Sequence, residues 1–222
     1  MSSQMLQIII LAGIALFLVI QLRRVLGTRD GFEPPKGVEQ GNARDEAHSG
    51  NFEVIDGGGE DHDIAGVTDP ESPSGQALAA MKAIEPSFSA TEFTGGARSA
   101  YEMILMAFEN GDISDIQVFL SPEVAESFQS AIDQRADEGL TIDANFVGVR
   151  EVKLREAEFD EVTREAAISL RFVGELTSVV RGPEGEIVEG DPNEIKKQTD
   201  IWTFSRTMGS DDPNWTLVAT GA

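Results

Sequence analysis

Any chemistry in this 222-residue chain would have to come from carboxylates and a single phenol. There is no cysteine, so a thiolate nucleophile, a disulfide framework and a Cys-based zinc site are all excluded. The two histidines, His48 and His62, stand in a Gly-, Pro-, Asp- and Glu-rich stretch ahead of any recognisable core. The folded part is therefore expected to lack the commonest general base. Tyr101 is the only tyrosine, and Asp143 or Asp200 would join it only if their strands present them inward. A phenol and a carboxylate facing one cavity suit general acid–base proton transfer, which is the enzymatic reading of the chain. Other acidic runs are weaker candidates. "EDHD" at 60–63 lies in a segment with no fixed geometry for a metal, and "REAEFDE" at 155–161 reads as a solvated hairpin end. "DGGG" at 56–59 has no strand–turn–helix context and is not a phosphate loop. No metal or cofactor is expected.

Charge narrows the partners. The formal net charge is −22 and the pI is near 4.3. Residues 86–222 alone carry 26 acidic against 11 basic side chains. Such a body repels nucleic acid, whose binding needs clustered Lys and Arg, and it repels anionic headgroups for the same reason.

The elements that would position these residues begin with an apolar run. "MLQIIILAGIALFLVIQL", residues 5–22, would form about 27 Å of helix, close to the roughly 30 Å hydrocarbon core of a bilayer. It lacks the basic n-region and small-residue cleavage site of a secretory signal, so it reads as a membrane anchor. Arg23, Arg24 and Arg29 follow it and no side-chain charge precedes it. The positive-inside rule then places the N-terminus outside and the rest in the cytoplasm, most simply at a bacterial inner membrane. Residues 1–29 are thus the anchor with its flank. Residues 30–73, with no lasting periodicity, form a disordered acidic linker, and residues 74–222 the folded domain.

Within that domain helices come first. "SGQALAAMKAIE" at 74–85 has helical spacing through Ala77, Leu78, Met81 and Ile84. Ser89 and Glu92 make an S-x-x-E capping box that opens a helix to about Asn110. This helix carries two apolar stripes, one of Tyr101, Ile104, Leu105 and Phe108, the other of Ala100, Met103 and Ala107. Its Gly95-Gly96 pair costs about 1 kcal/mol per glycine relative to Ala, and close backbone packing is the expected compensation. A short helix over "DISDIQVFL" precedes another with Ser121 as cap, Pro122 at its first position and Val124, Phe128 and Ile132 inward. After Gly139 the period switches to 2. "TIDANFVGVREVKL" alternates until Gly148 breaks the phase, as a bulge would. "REAAISLRFVGEL" puts Ala166, Ile168, Leu170, Phe172, Gly174 and Leu176 on one face, and "RGPEGE" at 181–186 is a turn. Trp202, Phe204 and Met208 share a face of the next strand, and Trp215, Leu217 and Ala219 a face of the last. The fold class is α+β, with helices packed on a curved, antiparallel four-stranded sheet.

Three stretches, "GGARSAYEMILMAFENGD", "FLSPEVAESF" and "DIWTFSRTMGSDDPNWTL", resemble motifs of the Tim44-like domain family, over roughly residues 75–222. The resemblance implies a cone-shaped α+β fold similar to nuclear transport factor two, with an apolar pocket and a membrane-side role. The chain resembles the single-span, alphaproteobacterial form of that family. The family's mitochondrial members have a basic helical N-terminal half, which this chain replaces with a span and an acidic linker. Chaperone docking is therefore not carried over.

The expected function is that of a membrane-anchored, non-catalytic scaffold. Its apolar pocket would capture a protein segment or an acyl chain, in protein translocation or membrane-complex biogenesis. Candidate lining residues are Tyr101, Leu105, Phe146, Phe172, Trp202 and Trp215, each of which ordinary core packing would also explain. Tyr101 and Trp202 stand out because their polar tips need a partner when buried. The alternatives are a pocket enzyme of the isomerase or dehydratase type, which the resembled cone-shaped fold also hosts, and a purely structural, self-associating membrane organiser. A protein partner in a translocase, chaperone or other membrane complex is expected, and nucleic acid is not.

Overall fold

The computed structural model describes residues 61–221. The expected span at 5–22, its arginines and most of the linker lie outside this range. Among the described residues no helix is long and apolar enough to cross a membrane.

The folded part begins earlier than residue 74. A short helix α1 (His62–Ala65) and a turn lead into α2 (Pro73–Ile84). Residues 61–73, assigned to the linker from their composition, are thus held in place. Asp63 holds them: its carboxylate accepts hydrogen bonds from Ala90 N at 2.8 Å, Thr91 N at 2.9 Å and Ser89 Oγ at 2.8 Å. Lys82 Nζ lies 3.1 Å from Asp63 and 2.8 Å from Asp61. Burial works to raise the Asp63 carboxyl, but the bonds from Thr91, Ser89 and Ala90 hold it far below the usual range. Ile64 is buried beside them. Ser72 caps α2 through Gly75 N, with Pro73 in the first turn.

Helix α3 (Ala90–Glu109) starts at Ser89, whose side chain accepts from Glu92 N at 3.1 Å, as the capping box predicts. A 3-10 segment, Ser114–Phe119, leads to α4 (Pro122–Asp137), capped by Ser121. Four strands form the sheet path: β1 (Thr141–Phe159), β2 (Glu165–Arg181), β4 (Lys196–Thr207) and β5 (Thr216–Gly221), every pairing antiparallel. A fifth, short strand β3 (Ile187–Gly190) pairs with the end of β2 across the predicted turn, so among the described residues the sheet has five strands, not four. At four residues, β3 is too short to leave an alternation in the sequence. The register of β1 on β2 shifts between Phe146 and Gly148, the expected bulge, and twice more further on.

The β2 alternation sets the core. Ala166, Ile168, Leu170 and Phe172 are buried in the core with the helices and Leu176 is buried further along the same face, while Ser169, Arg171 and Glu175 point away. On that outer face Ser169 and Thr203 share a hydrogen bond, Arg171 pairs with Glu151, and Arg150 with Glu175. Leu78 and Met81 of α2 and Ala97, Tyr101, Ile104 and Leu105 of α3 cover the inner face. Phe108 and Phe128, 4.7 Å apart, join α3 to α4.

Candidate binding groove

Two aromatic clusters divide the space between α3 and the sheet, and they meet where Trp202 and Phe204 lie 6.4 Å apart. The inner cluster is closed. Tyr101 stacks on Phe172 with centroids 4.5 Å apart and planes 7° from parallel, and Trp202 and Phe146 flank it at 4.7 and 6.3 Å. Tyr101 Oη donates to Asp200 Oδ2 at 2.5 Å, which satisfies a hydroxyl with no access to solvent. Burial, reinforced by the Asp200 charge, pushes the phenol far above its ordinary range. Gly174 on β2 leaves the room for it, since a Cβ there would lie 2.9 Å from Tyr101 Oη.

The outer cluster is open. Phe88 and Phe93 flank the Ser89 cap at the positions of a hydrophobic staple, with centroids 6.4 Å apart. Trp215 packs against Phe93 at 4.5 Å and Phe88 at 6.0 Å, and Phe204 meets Phe93 edge-on. These rings wall a groove of about 510 Å³ that runs beside α3, within the range typical of ligand pockets. Its α3 side takes Ala100 and Met103 from the second stripe, with Met103 43% exposed, together with Gly96 and an edge of Ile104; Ala107 of that stripe does not reach it. The first stripe, Tyr101, Ile104 and Leu105, is buried against the sheet.

One end of the groove is polar. Arg206 reaches Glu85 with Nη2–Oε2 at 2.9 Å and donates from Nε to the Asp212 carbonyl at 3.0 Å. Glu85 also accepts from Gly209 N at 3.0 Å. Glu92 stands on the lining and makes no ion pair among the described residues.

Of the six residues expected to line a pocket, Trp215 is the one on this groove. Tyr101, Leu105, Phe172 and Trp202 are at most 4% exposed and form core, and half-buried Phe146 packs on Tyr101 instead. Of the groove residues absent from that set, Phe88, Phe93, Phe119 and Met103 sit beside caps, at loop ends or on the second stripe, while Phe204 lies within β4 on the face it shares with Trp202. Phe88 and Phe93 carried a readable signal, the staple around the capping box. Asp143 stays apart from Tyr101, facing Arg181 at 3.7 Å on the exposed end of β1. Asp200 does reach Tyr101, as the enzymatic reading requires, yet the phenol is sealed beneath α3. Among the described residues no group of three or more His, Asp or Glu side chains is placed to hold a metal.

The arrangement defines an α+β domain whose helices cover one face of a curved antiparallel sheet and leave an apolar groove beside the central helix. The chain belongs to the Tim44-like domain family, whose model matches residues 74–222. A human relative, the mitochondrial import inner membrane translocase subunit TIM44, is 22% identical over 159 residues, which cover 70% of this chain and 35% of that protein. The chain thus spans about a third of that relative's length. Among solved structures, the intermembrane space region of the chloroplast protein ARC6 aligns over 66% of this chain and 90% of its own, at 10% identity and a TM-score of 0.31. At that score the likeness carries no argument.

Proposed function

We propose that this chain is a non-catalytic scaffold held at a bacterial inner membrane by residues 5–22. On this reading its cytoplasmic, cone-shaped domain captures an apolar protein segment, or an acyl chain, in the groove beside α3. The setting is protein translocation or the assembly of membrane complexes, as the translocase membership of the human relative suggests. The observation that carries the reading is the open aromatic groove, with Phe93, Trp215 and Met103 offering apolar surface to something outside the domain. A tether to the bilayer would raise the effective concentration of a membrane-bound ligand without any further contact. Tyr101 and Asp200 are the observation that favours the enzymatic alternative, but a phenol without access to a ligand does not exchange protons with one. Self-association is opposed by the strong negative charge.

Site-specific photocrosslinking tests the reading in native membranes. A crosslinker at Met103 should yield a discrete adduct, while one at Val162, which is 93% exposed on the β1–β2 turn, should not. Equal labelling from both positions, or none from Met103, would remove the groove from the function.

A further inference from the structure

The Gly95-Gly96 pair is not required by the fold. Among the described residues a Cβ built on either glycine meets nothing within 4 Å, so the close backbone packing expected from the sequence is absent there. Two glycines in one helix nevertheless weaken it by about 1 kcal/mol each relative to Ala. Gly96 lies on the groove lining, one turn before Ser99 and Ala100, so α3 shows bare backbone to the groove there. Bare backbone matters to an occupant that must approach a helix axis closely, and a flexible acyl chain has no such need.

Charge supplies the second constraint. Glu92 stands unpaired on the lining among the described residues, Arg206 is already committed to Glu85, and residues 86–222 carry 26 acidic against 11 basic side chains. A second copy of the chain or an anionic lipid would meet like charge. We infer, resting on the capture reading above, that the groove receives an amphipathic helix of a protein partner. Its apolar face enters between Phe93, Trp215 and Met103, its backbone crosses α3 at Gly96, and Lys or Arg residues on its flank face Glu92.

Two fluorescent helical peptides test this against the full chain in zwitterionic nanodiscs. Both carry leucines at i, i+3, i+4 and i+7, one with flanking lysines and the other with glutamates. The lysine peptide should raise anisotropy, with affinity that falls as salt is added, and the glutamate peptide should bind far more weakly. Gly96→Leu should weaken the lysine peptide by about tenfold or more, because the added side chain occupies the crossing point. Gly96→Ala should raise the melting temperature by about 2–4 °C, as expected where nothing crowds the new methyl. It also controls for folding. Equal binding of both peptides, or an unchanged affinity in Gly96→Leu, overturns the inference while capture stands. Neither peptide binding, with phosphatidylglycerol vesicles shifting Trp215 fluorescence, assigns the groove to lipid and likewise overturns it. Loss of every ligand, or occupation by a second copy seen as a dimer in sedimentation, overturns the inference and the capture reading together.

Discussion

Replacing Gly174 by alanine probes the core that carries the groove. Gly174 sits inside β2 with ordinary extended backbone, where Gly→Ala normally stabilises by about 0.4–1 kcal/mol. Here the added Cβ would lie 2.9 Å from Tyr101 Oη and 3.1 Å from Cε1. Tyr101 has no cheap escape, being fully buried, stacked on Phe172 and bonded to Asp200. Overpacking of this kind costs about 1–3 kcal/mol, and displacing the phenol also sacrifices a bond to a carboxylate worth about 1.5–3 kcal/mol. A net loss of about 2–4 kcal/mol should lower the melting temperature by roughly 4–16 °C at this chain length. Thermal unfolding of the full chain, followed by near-ultraviolet circular dichroism, reads both the loss and the altered Tyr and Trp packing. Tyr101→Phe removes the atom nearest the new methyl, so the cost of Gly174→Ala should shrink in that background by about 1 kcal/mol or more. A Gly174→Ala variant as stable as the parent, or full additivity with Tyr101→Phe, would refute the locked arrangement.

Other outcomes follow from the same contacts. Asp63→Asn should lower the melting temperature at neutral pH and release residues 61–72 to limited proteolysis, since one carboxylate serves three donors of α3 and Lys82. The Asp63 carboxyl is depressed on folding, so its contribution is complete above the unfolded value near 4 and fades as pH falls toward the folded one. The difference between parent and variant should therefore narrow on acidification below about pH 4 and stay constant above about pH 6. Arg206→Met should cost about 2–4 kcal/mol by stranding a largely buried Glu85, and adding Glu85→Met should restore part of it in denaturant titration.

Much of the scaffold is written in local signals. Ser89 with Glu92, and Ser121 with Pro122, mark helix starts by the same capping chemistry that the structure uses. The strict alternation from Ala166 to Leu176 fixes the buried face of β2 because a strand between two neighbours has no freedom to slip. Ser72-Pro73 is the same start signal as Ser121-Pro122. It was masked by the acidic, Gly-rich run before it, and nothing local reveals that Asp63 caps a helix that begins 27 residues later. The groove was harder to read for a physical reason. Tyr101, Phe172 and Trp202 look like pocket residues because they are large and carry, or adjoin, polar tips, yet such tips can be satisfied inside a core, as Asp200 shows for Tyr101. Phe88 and Phe119 reach the groove from element ends, where periodicity assigns no face, whereas Trp215 continues the alternation of β5 and was legible. Gly96 reads as a defect in the sequence and becomes intelligible only with the space above it that no other described residue fills.

The central claim is that the groove beside α3 is where this domain holds its ligand. Hydrogen exchange by mass spectrometry, comparing the full chain in native membranes with the purified chain in nanodiscs, tests it most directly. Side chains pressed onto the groove should slow amide exchange over residues 88–103 and 213–216 in membranes, while the β2–β3 turn at 182–186 exchanges equally in both. Identical exchange over 88–103 in the two preparations, or protection confined to the outer face of the sheet, would contradict it.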